Sequence, residues 1–224
     1  MRKFISGIAM LALTASLGTT ACKKKSEEQG GGGGGGAAQA SGKKAIDEAQ
    51  ANELVKTEVP GFEVSMPNVM GSFASMWLQG TEANAGGFVA SAQVSIQECM
   101  ACQPMKLDVW QKNAENLKAM LPRIHIDNPA LVWEMFEIPL DDTHTAIGVY
   151  SASMVKEENS KASALGLDVF YNDGTNMMTI QVSARPKEGG PGSADDLAGL
   201  QAQMTKDEFV AAAKKIFAPF ASTF

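Results

Sequence analysis

Leu165-Gly166-Leu167-Asp168-Val169-Phe170-Tyr171-Asn172-Asp173-Gly174-Thr175-Asn176-Met177-Met178-Thr179-Ile180-Gln181-Val182-Ser183-Ala184 is the stretch that decides the fold. Leu165 to Tyr171 and Met178 to Ala184 alternate apolar and polar side chains, the period of a half-buried strand. Asn172-Asp173-Gly174 lies between them, and an Asp-Gly flanked by alternating runs is a strong hairpin signal. The reading is two antiparallel strands joined by a tight turn.

Working upstream, Leu131 to Ile138 and Thr145 to Val155 form a second hairpin about Pro139-Leu140-Asp141-Asp142, and a polar Lys156 to Ser160 loop joins the two hairpins. Downstream, a Gly- and Pro-rich loop from Arg185 to Ser193 leads to Thr205 and Glu208, which are spaced as a capping box. The helix this opens has a face made of Phe209, Ala212, Ala213, Ile216, Phe217 and Phe220. Nearer the N-terminus, Phe62 to Met66 alternates as a strand that Pro67 is expected to stop. Phe73 to Leu78 and Phe88 to Ile96 follow as strands about an Asn84-Ala85-Gly86-Gly87 turn. Between these and the hairpins, Asp108 with Gln111 three residues on predicts a capped helix whose face is Trp110, Ala114, Leu117 and Leu121, ended by Pro122. Strands, helix, four antiparallel strands, helix is an α+β order: a mainly antiparallel sheet with helices packed on its faces.

This order resembles the PsbP-like fold, named for an extrinsic photosystem subunit and also found in bacterial lipoproteins. The similar points are Gly61-Phe62-Glu63-Val64-Ser65-Met66-Pro67 as opening strand, Val94-Ser95-Ile96 before a loop and helix, and the Asn172-Asp173-Gly174 hairpin followed by the Phe209 to Phe220 helix. The resemblance implies a module that binds and stabilises another protein rather than an enzyme. It implies nothing about Cys99-Met100-Ala101-Cys102, an insert not associated with that family.

The N-terminus carries a different message. Arg2 and Lys3 precede an apolar run from Phe4 to Leu17, and Gly18-Thr19-Thr20-Ala21 leads into Cys22. Positive end, short hydrophobic middle and small-residue cleavage zone are the parts of a secretory signal. The apolar run of about fourteen residues falls short of the ~20 that span a bilayer. With cysteine directly after the small residues, the segment resembles a bacterial lipoprotein signal. That resemblance implies cleavage after Ala21 and lipidation of Cys22, although Thr19 stands where that signal usually has Leu. Residues 1–21 are therefore expected to be a signal peptide. Residues 22–59 are expected to be a lipid-anchored linker, with Gly30 to Gly36 as its most flexible part and a short helix within Lys43 to Lys56. Residues 60–224 are expected to be one α+β domain of about 165 residues, enough to bury around two-thirds of its unfolded surface. The implied location is the bacterial cell envelope facing the periplasm, with a membrane partner through the lipid. Lys23, in place of a retaining aspartate, leans towards the outer membrane.

From Pro60 to Phe224 the chain holds 19 acidic and 11 basic side chains, a balance of −8. An acidic domain without a basic, aromatic-studded stripe is a poor match for phosphate backbones, so nucleic acid is not an expected partner. Lys23-Lys24-Lys25 forms the one dense basic run and suits anionic headgroups beside a lipid anchor.

With Cys22 assigned to lipid, Cys99 and Cys102 remain as a pair in an oxidising compartment, where a disulfide is the default. Two alternatives compete with a structural clip. Redox chemistry requires a cysteine at a helix N-terminus, where the dipole favours the thiolate. Cu(I) binding draws on Cys99, Cys102 and Met105, soft sulfur donors within seven residues, with Met100 between them. Zinc lacks two further ligands, and Gln103 after Cys102 excludes covalent haem attachment.

His125 alternates within Arg123-Ile124-His125-Ile126-Asp127 as a strand-surface residue, and His144 shares a turn with Asp141 and Asp142, where Asp is favoured for bonds to the backbone. A hydrolase built on His144 would need a nucleophile motif, and no Gly-x-Ser-x-Gly is present. Gly30 to Gly36 precedes no strand–helix unit and is not a phosphate loop. Trp77, Trp110 and Trp133 read as core. The expectation is a non-catalytic binding or stabilising module with no cofactor and no catalytic residue, serving an envelope protein partner.

Overall fold

Seven strands form one fully antiparallel sheet in the computed structural model, which describes residues 43–114, 131–157, 160–190 and 194–224. The strands are β1 (Phe62–Met70), β2 (Phe73–Gly80), β3 (Phe88–Glu98), β4 (Val132–Pro139), β5 (Thr145–Glu157), β6 (Ser160–Asn172) and β7 (Asn176–Pro186). Their order across the sheet is β1-β2-β3-β7-β6-β5-β4, so β7 closes on β3 and joins an N-terminal meander to the two hairpins. Among the described residues four helices accompany them: α1 (Glu48–Leu54), α2 (Leu107–Lys112), α3 (Leu197–Gln201) and α4 (Lys206–Phe217). The α+β class with a mainly antiparallel sheet is therefore the observed one.

The deciding hairpin forms as read. Gly174 takes φ +89°, and Asp173 Oδ1 accepts from the backbone N–H of Thr175 and of Asn176, both at 2.7 Å. A side chain at φ > 0 pays a steric cost that glycine avoids, which is why the turn carries Gly here. Register then places whole rows on one face: Met76, Val94, Ile180 and Val169 stand side by side, as do Leu78, Ala92, Val182, Leu167 and Tyr150. These rows are buried under α1, α3 and α4. α4 begins with the capping box in place, Thr205 accepting from Glu208 N–H and Glu208 Oε2 accepting from Thr205 N–H at 2.7 Å. Its Phe209, Ala213, Ile216 and Phe217 are fully buried, and Phe220 follows in a 3-10 turn (Ala218–Thr223). Each such large side chain contributes about 1.5–3 kcal/mol by leaving water.

Four expectations need correcting. Pro67 does not stop β1; the strand continues to Met70 through a bulge between Ser65 and Asn68, with Met66 at φ +48°. β1 is an edge strand, and a bulge lets a proline sit there without leaving an inner ladder bond unmade. Asp108 does not cap α2. The helix starts at Leu107 after Lys106, and Leu107 N–H is met instead by Glu137 Oε1 of β4 at 3.3 Å. The Lys156 to Ser160 loop is mostly strand, since Lys156 pairs with Lys161 and Glu157 with Ser160. Packing also starts before Pro60: Ile46, Ala51 and Val59 belong to the core, and α1 is capped by Asp47. Leu117, Leu121, Pro122 and His125, like Cys22 and the Gly30 to Gly36 run, lie outside the described residues.

The second sheet face is different. Gln79, Ser91 and Ser183 form one row on it, and Trp77, Gln93, Gln181 and Asp168 form the next. At its β4–β5–β6 end this face carries an apolar cluster, where Met135, Ile147 and Val149 gather Met105, Leu107, Trp110, Trp133 and Phe170. α2 lies on this end, and the loop that leads into it carries the cysteine pair.

Candidate functional site

Cys99 follows β3 directly, and its N–H donates to Thr175 O at 2.8 Å, so the chain leaves the sheet still bonded to the β6–β7 turn. Cys99 and Cys102 are joined by a disulfide, with Cα atoms 5.6 Å apart. Met100, between them, is 93% exposed. Beyond the bridge the loop is held by side chains from both flanks. Asn172 Nδ2 donates to Gln103 O at 3.1 Å, and Trp110 Nε1 donates to Pro104 O at 3.1 Å. Asn113 Nδ2 reaches Gln103 Oε1 at 3.4 Å.

These contacts leave a cleft of about 320 Å³ between the loop, α2 and the ends of β6 and β7. One wall is the disulfide with Ala101, and the floor is Phe170 and Met177. Trp110 leans on Phe170 with ring centroids 5.2 Å apart and planes inclined by 31°. Tyr171 also belongs to the lining, but its ring packs on the other sheet face, 5.4 Å from Phe217 and 5.3 Å from Phe224; burial, with the charges of Asp173 and Asp141, pushes its phenol up to about 12. The amides of Gln103, Asn113 and Asn172 complete the lining. None of the described residues that line it is charged at neutral pH, so these residues offer apolar surface and neutral hydrogen-bonding groups.

The sequence-derived candidates fall in separate places. Cys99 and Cys102 are in the cleft wall. Met105 packs among Met135, Ile147 and Val149 rather than in the cleft lining, and Met100 extends into solvent. Neither cysteine opens a helix, since α2 begins five residues after Cys102. Among the described residues no three His, Cys, Asp or Glu side chains gather as a metal-holding group. His144 sits in the β4–β5 turn as a local ligand of Asp141, its Nδ1 2.7 Å from Asp141 Oδ2 and its ring 5.4 Å from that of Tyr171. Burial disfavours the Asp141 carboxylate, but the N–H and hydroxyl of Thr143 with the ring and N–H of His144 outweigh it, holding the pKa well below the usual range. That is turn chemistry, in which the Thr143 hydroxyl also takes part. Trp77 is half-buried on the second face under Arg185 at 5.9 Å.

Sequence reasoning missed Phe170, Asn172, Asn113 and Met177 as cleft residues. Phe170 gave a usable signal: it is the one aromatic on the polar-facing register of β6, between Asp168 and Asn172. Asn113 gave none, because its role depends on a loop ten residues earlier. Among the described residues no helix is long and apolar enough to cross a membrane. Compared with known proteins, the chain matches no family model, no curated protein and no solved structure.

Proposed function

We propose that this chain is a membrane-tethered lipoprotein of the bacterial cell envelope whose α+β domain is a non-catalytic binding module, engaging its partner through the cleft beside Cys99 and Cys102. The tether part rests on the Arg2 to Cys22 layout, with Cys22 as the acylated residue. The PsbP-like assignment of the domain rests on the order of its strands and closing helix. The binding part rests on one observation: an aromatic-walled cleft beside a cross-linked loop, whose described lining residues are all uncharged. A pocket of apolar surface with a few neutral polar groups is the usual form of a binding site.

A photo-crosslinking side chain at Ala101, which is exposed and lines the cleft, tests this in intact cells. The expected result is a discrete adduct from Ala101 that a control at Glu48, on α1, does not give. Identical adduct patterns from both positions would remove the cleft from the binding role.

One observation favours a second reading, a thiol function: both sulfurs belong to the cleft wall, where a bound thiol would reach them. Disulfide exchange or Cu(I) capture requires the bridge to open readily. Free-thiol titration of protein isolated from the envelope separates the readings. A bridge with a potential below about −300 mV is a structural clip, and one near the known oxidoreductases is not.

A further inference from the structure

We propose that the cleft binds a neutral saccharide ring, stacked on Trp110 and hydrogen-bonded by the side-chain amides of Gln103 and Asn113; this rests on the binding reading above and names its ligand class.

The lining narrows the chemistry from three directions. A charged ligand would find no counter-charge among the described lining residues to offset the hydration it gives up. A purely apolar ligand would strip water from amides it could not satisfy. Gln103 Oε1 accepts from Asn113 Nδ2, which leaves Gln103 Nε2 and Asn113 Oδ1 with no hydrogen bond among the described residues. Those two atoms are one donor and one acceptor on a pair of bonded amides, the complement of a pair of hydroxyls. Asn172 is not available in the same way, since its Nδ2 is bonded to Gln103 O and its Oδ1 accepts from Gly174 N–H at 3.2 Å.

The third constraint is flatness. Trp110 has its one polar atom satisfied by Pro104 O, so the indole is locked and what it offers the cleft is ring carbon. A pyranose presents C–H groups on its faces and hydroxyls around its rim, which matches an aromatic plane beside an amide pair. About 320 Å³ is at the small end of ligand sites, suited to one or two rings rather than an extended chain.

Titration of the mature protein with maltotriose, cellotriose and chitotriose, followed by the side-chain amide and indole N–H resonances, tests the proposal. With at least one trisaccharide, the Gln103, Asn113 and Trp110 signals should shift saturably while those of Trp77 and Trp133 stay in place. Gln103→Ala and Asn113→Ala change exposed side chains and should each weaken binding by about tenfold, the equivalent of one hydrogen bond. Saccharide-induced shifts that neither substitution weakens would overturn the assignment. So would cleft signals that move only with a neutral blocked tripeptide carrying leucine, although the binding reading would then stand. Signals unmoved by either class would overturn both.

Discussion

Gly148 faces Phe136 across the β4–β5 ladder, and a Cβ there would run into Ile138 Cδ1 and lie 3.3 Å from Phe136 Cζ. Ile138 is fully buried and has nowhere to turn. Gly148→Ala is expected to destabilise by roughly 1–3 kcal/mol, the usual cost of overpacking. A lower denaturant midpoint at an unchanged m-value is the observation that checks it. Asp168 makes a different residue-scale prediction. Burial pushes its carboxyl from 3.8 up to about 6, and the Gln181 amide donating at 3.2 Å offsets this only partly. Between those values the native state holds a proton that the unfolded chain has released. The group therefore favours folding fully below 3.8, and that contribution is lost as pH rises through about 6. Asp168→Asn keeps the shape and removes the charge, so it should unfold at higher denaturant than the parent near neutral pH. The difference should vanish at about pH 3, where the parent carboxyl is protonated in both states. A gain that persists in acid would mean a cause other than ionisation.

The loop between β3 and α2 is the element whose behaviour bears most on function. Its bridge closes a ring of four residues, so in the chain-entropy account it contributes about 2 kcal/mol. The loop is also held by Asn172, Trp110 and Thr175 through bonds that do not involve sulfur. Replacing both Cys99 and Cys102 by Ser should therefore lower unfolding stability by about 2 kcal/mol while leaving the Trp110 indole N–H resonance where it was. Collapse of that resonance would show that the bridge, not the side-chain bonds, shapes the cleft. Elements of this kind also mark the limit of sequence reading. The β6–β7 hairpin and α4 were legible because their signals are local: Asp173-Gly174 in one case, Thr205 with Glu208 in the other. The start of α2 was not, because its cap comes from Glu137 on a strand thirty residues later. The continuation of β1 past Pro67 depends on its place at the sheet edge, which no local pattern reveals. The candidate site divides the same way. The cysteine pair was visible at once, whereas its aromatic floor and amides come together only when β6, β7 and α2 meet.

At the scale of the whole molecule, the question is where the domain ends and the tether begins. Asn176, the first residue of β7, is 1% exposed; its Oδ1 accepts from Ile46 N–H at 2.9 Å and its Nδ2 donates to Lys44 O at 3.2 Å. That one side chain ties the segment before α1 to the middle of the sheet. Ile46 beneath it, Ala51 on α1 and Val59 before β1 then fill the core beside β1 and β2. Truncation should read out this boundary. A chain starting at Lys43 keeps the whole arrangement and should melt like the longer protein. A chain starting at Pro60 loses two large apolar side chains and one small one, a deficit of about 3–6 kcal/mol by buried-surface arithmetic. It also strands the Asn176 amide without its two backbone partners, adding about 1–3 kcal/mol. The sum approaches the total stability of a typical domain, so the Pro60 chain should be largely unfolded or markedly labile by thermal and denaturant scans. Asn176→Ala in the full chain should reproduce part of that loss, with faster exchange of the Ile46 amide hydrogen as its local signature. Equal melting of the Lys43 and Pro60 chains would show that α1 rides on the domain without supporting it. In that case the boundary read from the strand pattern at Pro60 would be the functional one.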